Sequence, residues 1–161
     1  MPIRDALASD SEAILGIYNP YVVGTTITFE ETPVGAEEMR ERIAKNGEQY
    51  AWLVYEDEGR VLGYAYASRW RERCAYRSSA ESTVYVAEGA HGRGIGRALY
   101  TALLERLRAK DVHVVIGGIA MPNERSVGLH EALGFERVAN FPEVGYKFGR
   151  WLDVGYWAKL L

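Results

Sequence analysis

One stretch constrains this chain more than any other: residues 81–99, ESTVYVAEGAHGRGIGRAL. It opens as an extended run in which Glu81, Thr83 and Tyr85 fall on one face and Ser82, Val84 and Val86 on the other. It closes as a helix carrying Ile95, Ala98, Leu99, Ala102, Leu103 and Leu107 on one side, with Lys110 placed for its C-terminal dipole. Between them stand Gly92, Gly94 and Gly96. A turn so rich in glycine leaves backbone N–H groups uncovered where the helix begins, which makes a cradle for an anion. The expected ligand carries phosphate.

Three phosphate-loop grammars compete for this segment. A nucleoside-triphosphate loop needs Lys then Ser or Thr after its last glycine, and here Arg97-Ala98 follows Gly96. A dinucleotide fingerprint starting at Gly92 needs glycine where Arg97 stands, and it needs a first strand-helix-strand unit that the preceding sequence lacks. A ligand-free turn would keep three costly glycines without a reason.

The frame around the turn fits one domain over 1–161, since 161 residues with 48% hydrophobic content are enough for a core. A net charge of −3 gives no general attraction to nucleic acid or an acidic membrane. The single cysteine, Cys74, allows neither an internal disulfide nor a multi-cysteine metal site, and His91, His113 and His130 form no ligand pattern, so no metal is expected. With no apolar run long enough to span a bilayer and no leader pattern at the start, a cytoplasmic setting is expected.

Along the chain, Ile3–Ala6 reads as a strand, and Ser9 or Asp10 caps a helix presenting Ile14, Leu15 and Tyr18. Asn19-Pro20 is expected to break or kink that helix. The β-branched run 24–29 reads as extended, and 36–45 as a surface helix with Met39 and Ile43 inward. Residues 51–55 and 60–67 pair as a hairpin across EDEG. Residues 68–77, SRWRERCAYR, show no period and interleave four arginines with Trp70 and Tyr76, as a binding loop would. The apolar run 113–120 suggests a strand buried on both faces. Asn123 caps a second helix with Leu129 and Leu133 toward the core, closed by Gly134, and 145–161 alternates as one or two long strands. The order is a mixed α/β arrangement.

His91 to Gly96 matches the pattern Gln/Arg-x-x-Gly-x-Gly/Ala except at its first position, where His91 replaces Gln or Arg, and by that motif the chain resembles the GCN5-related N-acetyltransferases (GNAT). AESTVYV (80–86), LHEALGF (129–135), KFGRW (147–151), DVGYW (153–157) and TTITFEETP (25–33) are similar to the phosphinothricin and methionine sulfoximine N-acetyltransferase subgroup. The resemblance runs nearly full length. It implies a mostly antiparallel central sheet flanked by helices on both faces, acetyl-CoA as co-substrate, a small amino-acid-like acceptor amine and a homodimer, for which the aromatic C-terminal strands are a candidate surface. Detoxification of glutamine-synthetase inhibitors, and with it herbicide resistance, would be the physiological corollary.

Residue roles follow as implications of that resemblance. Gly92, Arg93, Gly94, Ile95, Gly96 and Arg97 would hold the pyrophosphate, Val84, Tyr85 and Val86 would align the pantetheine arm, and Asn123 and Ser126 would assist it. Glu81 is the expected general base, because an ammonium must lose a proton before its nitrogen attacks a thioester; a structural carboxylate paired with a loop arginine is the competing reading. His130 could protonate the leaving thiolate, or simply pack. Arg71, Glu72, Arg73 and Tyr76, with Phe29, Glu81, Ser82, Thr83 and Val154, would form the acceptor pocket, arginine being suited to a fork around carboxylate or phosphinate oxygens. Direct transfer is expected rather than an acetyl-Cys74 intermediate. The alternatives are a GNAT enzyme for another amine, such as a different amino acid or a peptide N-terminus, and an acyl-CoA-binding sensor without chemistry.

Overall fold

The computed structural model describes residues 2–161. Seven strands form one sheet: β1 (Ile3–Asp5), β2 (Trp52–Asp57), β3 (Arg60–Arg69), β4 (Ser79–Val86), β5 (Val114–Ala120), β6 (Glu136–Lys147) and β7 (Arg150–Leu160). Their spatial order is β1-β2-β3-β4-β5-β7-β6. Every neighbouring pair is antiparallel except β4 and β5. The four helices are α1 (Ser11–Gly24), α2 (Ala36–Gln49), α3 (Ile95–Ala109) and α4 (Glu124–Ala132).

The period of two along β2 and β3 decides which helix covers which face. Leu53, Ala65 and Ala67 point to one side and pack with Leu99, Tyr100, Leu103 and Leu107 of α3. Trp52, Val54 and Tyr64 point to the other and pack with Ile14 and Val22 of α1 and Met39 and Ile43 of α2. Helices therefore flank the sheet on both faces, as expected.

Four local expectations change. Helix α1 is not broken at Asn19-Pro20 but runs through to Gly24. Tertiary contacts on both sides hold it: the Asn19 side chain exchanges two hydrogen bonds with the Val34 backbone (3.1 and 3.0 Å), and Tyr21 donates to the Val86 carbonyl at 2.6 Å. Residues 25–29 form a bent connection rather than an extended segment, because the chain must turn from α1 across the mouth of a cleft. Strand β5 is buried on one face only: Val115 and Ile119 enter the core, whereas Gly118 is exposed and lines a cavity. The C-terminal hairpin begins at Glu136, nine residues before the alternation at Gly145, because β6 is an edge strand whose register shifts at Arg137/Ala139 and Phe141/Gly145 hide the period. Pro142 is tolerated there because an edge strand has one side without ladder bonds.

Candidate active site

The parallel pair is short. β4 and β5 pair only through Ser79–Val114, Ala80–Val115 and Glu81–Ile116, after which the strands part. Residues 82–86 of β4 keep β3 on one side and have no strand on the other. The sheet thus carries a wedge at its centre, lined on one flank by backbone groups that a sheet would ordinarily satisfy.

Side chains brace the point of divergence. Ser82, Tyr100 and His130 form a buried chain in which the Ser82 and Tyr100 hydroxyls make a short contact and Tyr100 Oη lies 2.8 Å from His130 Nε2. His130 Nδ1 is 2.7 Å from the Ser126 carbonyl. A carbonyl only accepts, so Nδ1 carries the proton and Nε2 receives the Tyr100 hydroxyl. Neither nitrogen is free, and burial lowers the imidazole pKa from its ordinary value. Gly117 makes room for this ring: a Cβ there would stand 2.6 Å from Nε2. Tyr100 was not singled out by sequence, since its place on α3 beside Leu99 and Leu103 reads as ordinary core.

Two cavities open onto the wedge. The first, about 390 Å³, is bordered by Tyr21, Val86, His91, Gly96, Arg97 and Arg125. Gly94, at φ +77°, turns the chain into α3, and the helix start has neither a side-chain cap nor an acidic residue in its first turn. The N–H groups at Ile95, Gly96 and Arg97 are therefore open to an anion, with the helix dipole behind them. Arg93 points elsewhere, to Asp57 at 3.3 Å. Asn123 caps α4 by accepting from the Ser126 N–H at 3.2 Å.

The second cavity, about 410 Å³, takes Thr28, Phe29, Glu81, Gly118, Val154 and Tyr156. Ser82, Thr83, Ser126 and His130 also border it, and Ile27, Val84, Tyr85, Asn123 and Ser126 are common to both spaces. Glu81 sits where the two strands part. Burial raises its carboxyl pKa from the ordinary value, opposed only by the Arg71 charge, and among the described residues no ion pair holds it. A carboxylate so placed is a poised proton acceptor.

The arginine loop stands at the rim. Arg71 stacks on Trp70 with its guanidinium carbon 3.9 Å from the ring centroid, Arg69 pairs with Glu72 at 3.1 Å, and Arg73, Cys74 and Tyr76 are exposed around a 3-10 turn. None of Arg71, Glu72, Arg73 and Tyr76 lines the cavity. The loop reaches it through Trp70, which meets Tyr156 edge-on at 5.6 Å, and through the charge of Arg71. Tyr156 and Gly118 were missed by sequence reasoning; the alternation in β7, with Val154 and Tyr156 two apart, was the available signal.

The remaining wall is pinned by Lys147, which is only 1% exposed. Its ammonium donates to the Val22 and Thr28 carbonyls, both at 2.8 Å, and so ties the end of α1 to the connection carrying Ile27 and Phe29. The Phe29 ring packs directly on Gly145, where no side chain would fit. Thr28 is held from the other side by the Tyr18 hydroxyl at 2.8 Å, and Tyr18 also donates to Glu30 at 2.6 Å.

An uncapped helix start beside a split parallel pair is matched over residues 3–155 by the acetyltransferase (GNAT) domain profile. The chain belongs to the GNAT family. It is an acetyl-CoA-dependent N-acyltransferase. This GNAT protein is 41% identical over 157 residues to the phosphinothricin N-acetyltransferase of Streptomyces viridochromogenes, covering 98% of its own chain and 86% of that protein. It is 43% identical to the L-methionine sulfoximine/L-methionine sulfone acetyltransferase of Pseudomonas aeruginosa, over 96% and 91% of the two chains. The crystal structure of a GNAT phosphinothricin acetyltransferase from Sinorhizobium meliloti with acetyl-CoA superposes with a TM-score of 0.95 at 39% identity, over 100% and 89% of the chains. Among the described residues of this GNAT protein no three His, Cys, Asp or Glu side chains form a metal-ligating group, and no helix is long and apolar enough to cross a membrane.

Proposed function

We propose that this GNAT protein acetylates the amino group of a small amino acid of the phosphinothricin, methionine sulfoximine or methionine sulfone kind, with Glu81 as general base. The observation that carries the reading is the desolvated Glu81 carboxylate, without an ion pair among the described residues, in the wall of the second cavity at the point where β4 and β5 part. The names of the relatives support the acceptor class.

In this reading the pyrophosphate rests on the open N–H groups of Ile95 to Arg97, and the pantetheine arm extends along 84–86, where its amides take the ladder positions that β5 vacates. The acyl group then lies at the wedge, facing the second cavity. Glu81 takes a proton from the acceptor ammonium, and the freed nitrogen pair attacks the thioester carbonyl. The tetrahedral adduct collapses by breaking the C–S bond, and the departing CoA thiolate takes up the second proton lost by the nitrogen, so that CoA leaves as the thiol. Raising the Glu81 pKa brings the base closer to neutrality, where transfer from an amine is less uphill. Arg71 at the rim supplies positive charge for the acceptor's anionic groups. His130 is better suited to bracing than to giving a proton: it is neutral, and both nitrogens are engaged.

The β6–β7 hairpin exposes Phe141, Val144, Tyr146, Phe148 and Trp151, each at least half open to solvent. A patch of this kind marks a protein interface, and it supports a homodimer joined through the C-terminal strands. With one exposed thiol and no disulfide, the protein suits the reducing cytoplasm.

A panel of amines with acetyl-CoA, read by release of CoA thiol, tests the acceptor class. Turnover with phosphinothricin, methionine sulfoximine and methionine sulfone is expected to exceed that with common amino acids and peptide N-termini; a preference for a peptide N-terminus would overturn the assignment. Glu81→Gln should lower kcat about 100- to 10,000-fold with an unchanged fold, and an unaltered rate would remove Glu81 from the mechanism.

A further inference from the structure

The first position of the phosphate-turn motif, where Gln or Arg is the pattern, is His91 in this chain, and its imidazole makes a specific connection. His91 Nε2 lies 3.0 Å from Tyr21 Oη, and Tyr21 Oη lies 2.6 Å from the Val86 carbonyl oxygen. The carbonyl can only accept, so the phenol hydrogen is committed to Val86 and the phenol oxygen accepts from the imidazole. Nε2 must therefore carry a hydrogen. Burial and the nearby Arg125 lower the imidazole pKa from its ordinary value, against a smaller opposing influence of Glu88, which keeps the ring in its one-proton form.

Each end of this relay has a task. Val86 ends β4, and the next residue, Ala87, is fastened to β3 by its N–H to the Leu62 carbonyl at 2.8 Å. On the wedge side the carbonyl of Val86 has Tyr21 in place of a strand. Tyr21 is itself aimed by ring contact with Tyr85 at 5.1 Å, and it reaches the site because α1 continues past Pro20. His91, Tyr21 and Val86 all border the cavity that holds the open start of α3.

We propose that His91 is a positioning residue for acetyl-CoA: through Tyr21 it fixes the end of β4 and sets the span between the phosphate turn and the strand along which the pantetheine arm lies. The inference rests on the reading of that cavity as the cofactor site. The relay contacts neither thioester nor acceptor, so its loss is felt in cofactor affinity and not in the chemical step.

The test compares His91→Ala, Tyr21→Phe, the double variant and His91→Gln in the full-length enzyme. It measures KM for acetyl-CoA and kcat at saturating acceptor, Kd for CoA by calorimetry, and a melting curve for each variant. His91→Ala and Tyr21→Phe should each raise KM and Kd about three- to ten-fold, the worth of one hydrogen bond, with kcat within about two-fold. Because the two residues act in series, the double variant should bind no worse than the weaker single one. His91→Gln, which can still donate to Tyr21, should restore most of the affinity. An unchanged KM in His91→Ala, multiplicative losses in the double variant, or a silent Tyr21→Phe beside a damaging His91→Ala would each overturn the relay; the last outcome would make His91 a direct phosphate ligand. Gly94→Val tests the underlying site separately. If CoA binds that variant as tightly as wild type, the cradle itself is refuted, whatever the histidine variants do.

Discussion

Gly117→Ala is the sharpest probe of how the wedge is held open. A Cβ at position 117 would stand 2.6 Å from His130 Nε2, 2.9 Å from its Cδ2 and 3.4 Å from Tyr100 Oη. Ordinary contact needs about 3.5 Å or more, so the ring must retreat by nearly 1 Å into a packed region where Phe135 already meets it edge-on at 5.0 Å. Overpacking of this kind costs about 1–3 kcal/mol. The retreat also breaks the Tyr100 bond of 2.8 Å, for about another 1 kcal/mol. A total near 2–4 kcal/mol corresponds to a melting temperature lowered by about 4–16 °C for a chain of this size. Differential scanning calorimetry on wild type, Gly117→Ala, His130→Ala and the double variant measures it. With the imidazole gone the extra methyl meets only the Tyr100 hydroxyl, at 3.4 Å, so Gly117→Ala should be nearly neutral in the His130→Ala background, a coupling of about 2 kcal/mol or more. A Gly117→Ala protein that melts within 2 °C (about 1 kcal/mol or less) of wild type would refute the account of the brace, as would equal costs in both backgrounds.

Two further outcomes follow from buried groups. Lys147→Met leaves the Val22 and Thr28 carbonyls without their donor, so unfolding in urea should show a loss of about 2–4 kcal/mol. The acceptor KM should rise more than the acetyl-CoA KM, since the loosened connection gives Thr28 and Phe29 to the acceptor cavity alone and shares only Ile27 with the other; equal rises would contradict that division. The folded His130 imidazole titrates below its ordinary value of 6.5. Its contribution to stability is therefore complete above pH 6.5 and is lost as pH falls through the window down to its folded pKa, because the unfolded chain there binds the extra proton. His91 acts in the same direction, whereas the raised Glu81 pKa acts in the opposite one. Melting temperatures from pH 7.5 to 5.5 should accordingly fall more steeply in wild type than in His130→Gln, and parallel curves would refute it.

What could be read in the sequence was what local chemistry dictates. The strand, glycine turn and helix at 79–109, the Asn123 cap and the two-faced alternation of β4 all depend on residues within a few positions of one another. Glu81 and Thr83, which that alternation puts on one face, both border the second cavity. What escaped depends on partners far along the chain. Pro20 lies within a helix because Asn19 and Tyr21 find Val34 and Val86, 15 and 65 residues away. Residues 113–120 look apolar on both faces, yet one face is open, since a strand whose parallel neighbour departs after three pairs no longer needs covering there. Lys147 sits in a motif that marks the family, but nothing in KFGRW reveals that its charge caps carbonyls 119 and 125 residues upstream. The arginine loop differs in kind: its composition suggests direct contact, while its geometry puts Trp70, not Arg73, against Tyr156 of the cavity wall.

The lone thiol of Cys74, exposed on the rim loop, bears on how turnover is watched. Each acetyl transfer liberates one CoA sulfhydryl, and disulfide dyes that count sulfhydryls will also count this one. A time course followed with such a dye therefore opens with an offset equal to the enzyme concentration. The offset has the size and shape of a single-turnover burst, the kinetic fingerprint of an acetylated enzyme, although no acetyl group has moved. Substituting Cys74 by serine removes the offset and leaves the true progress curve, and the same unique position then serves, in the parent protein, as a place to attach a fluorophore that reports on the rim as an acceptor enters.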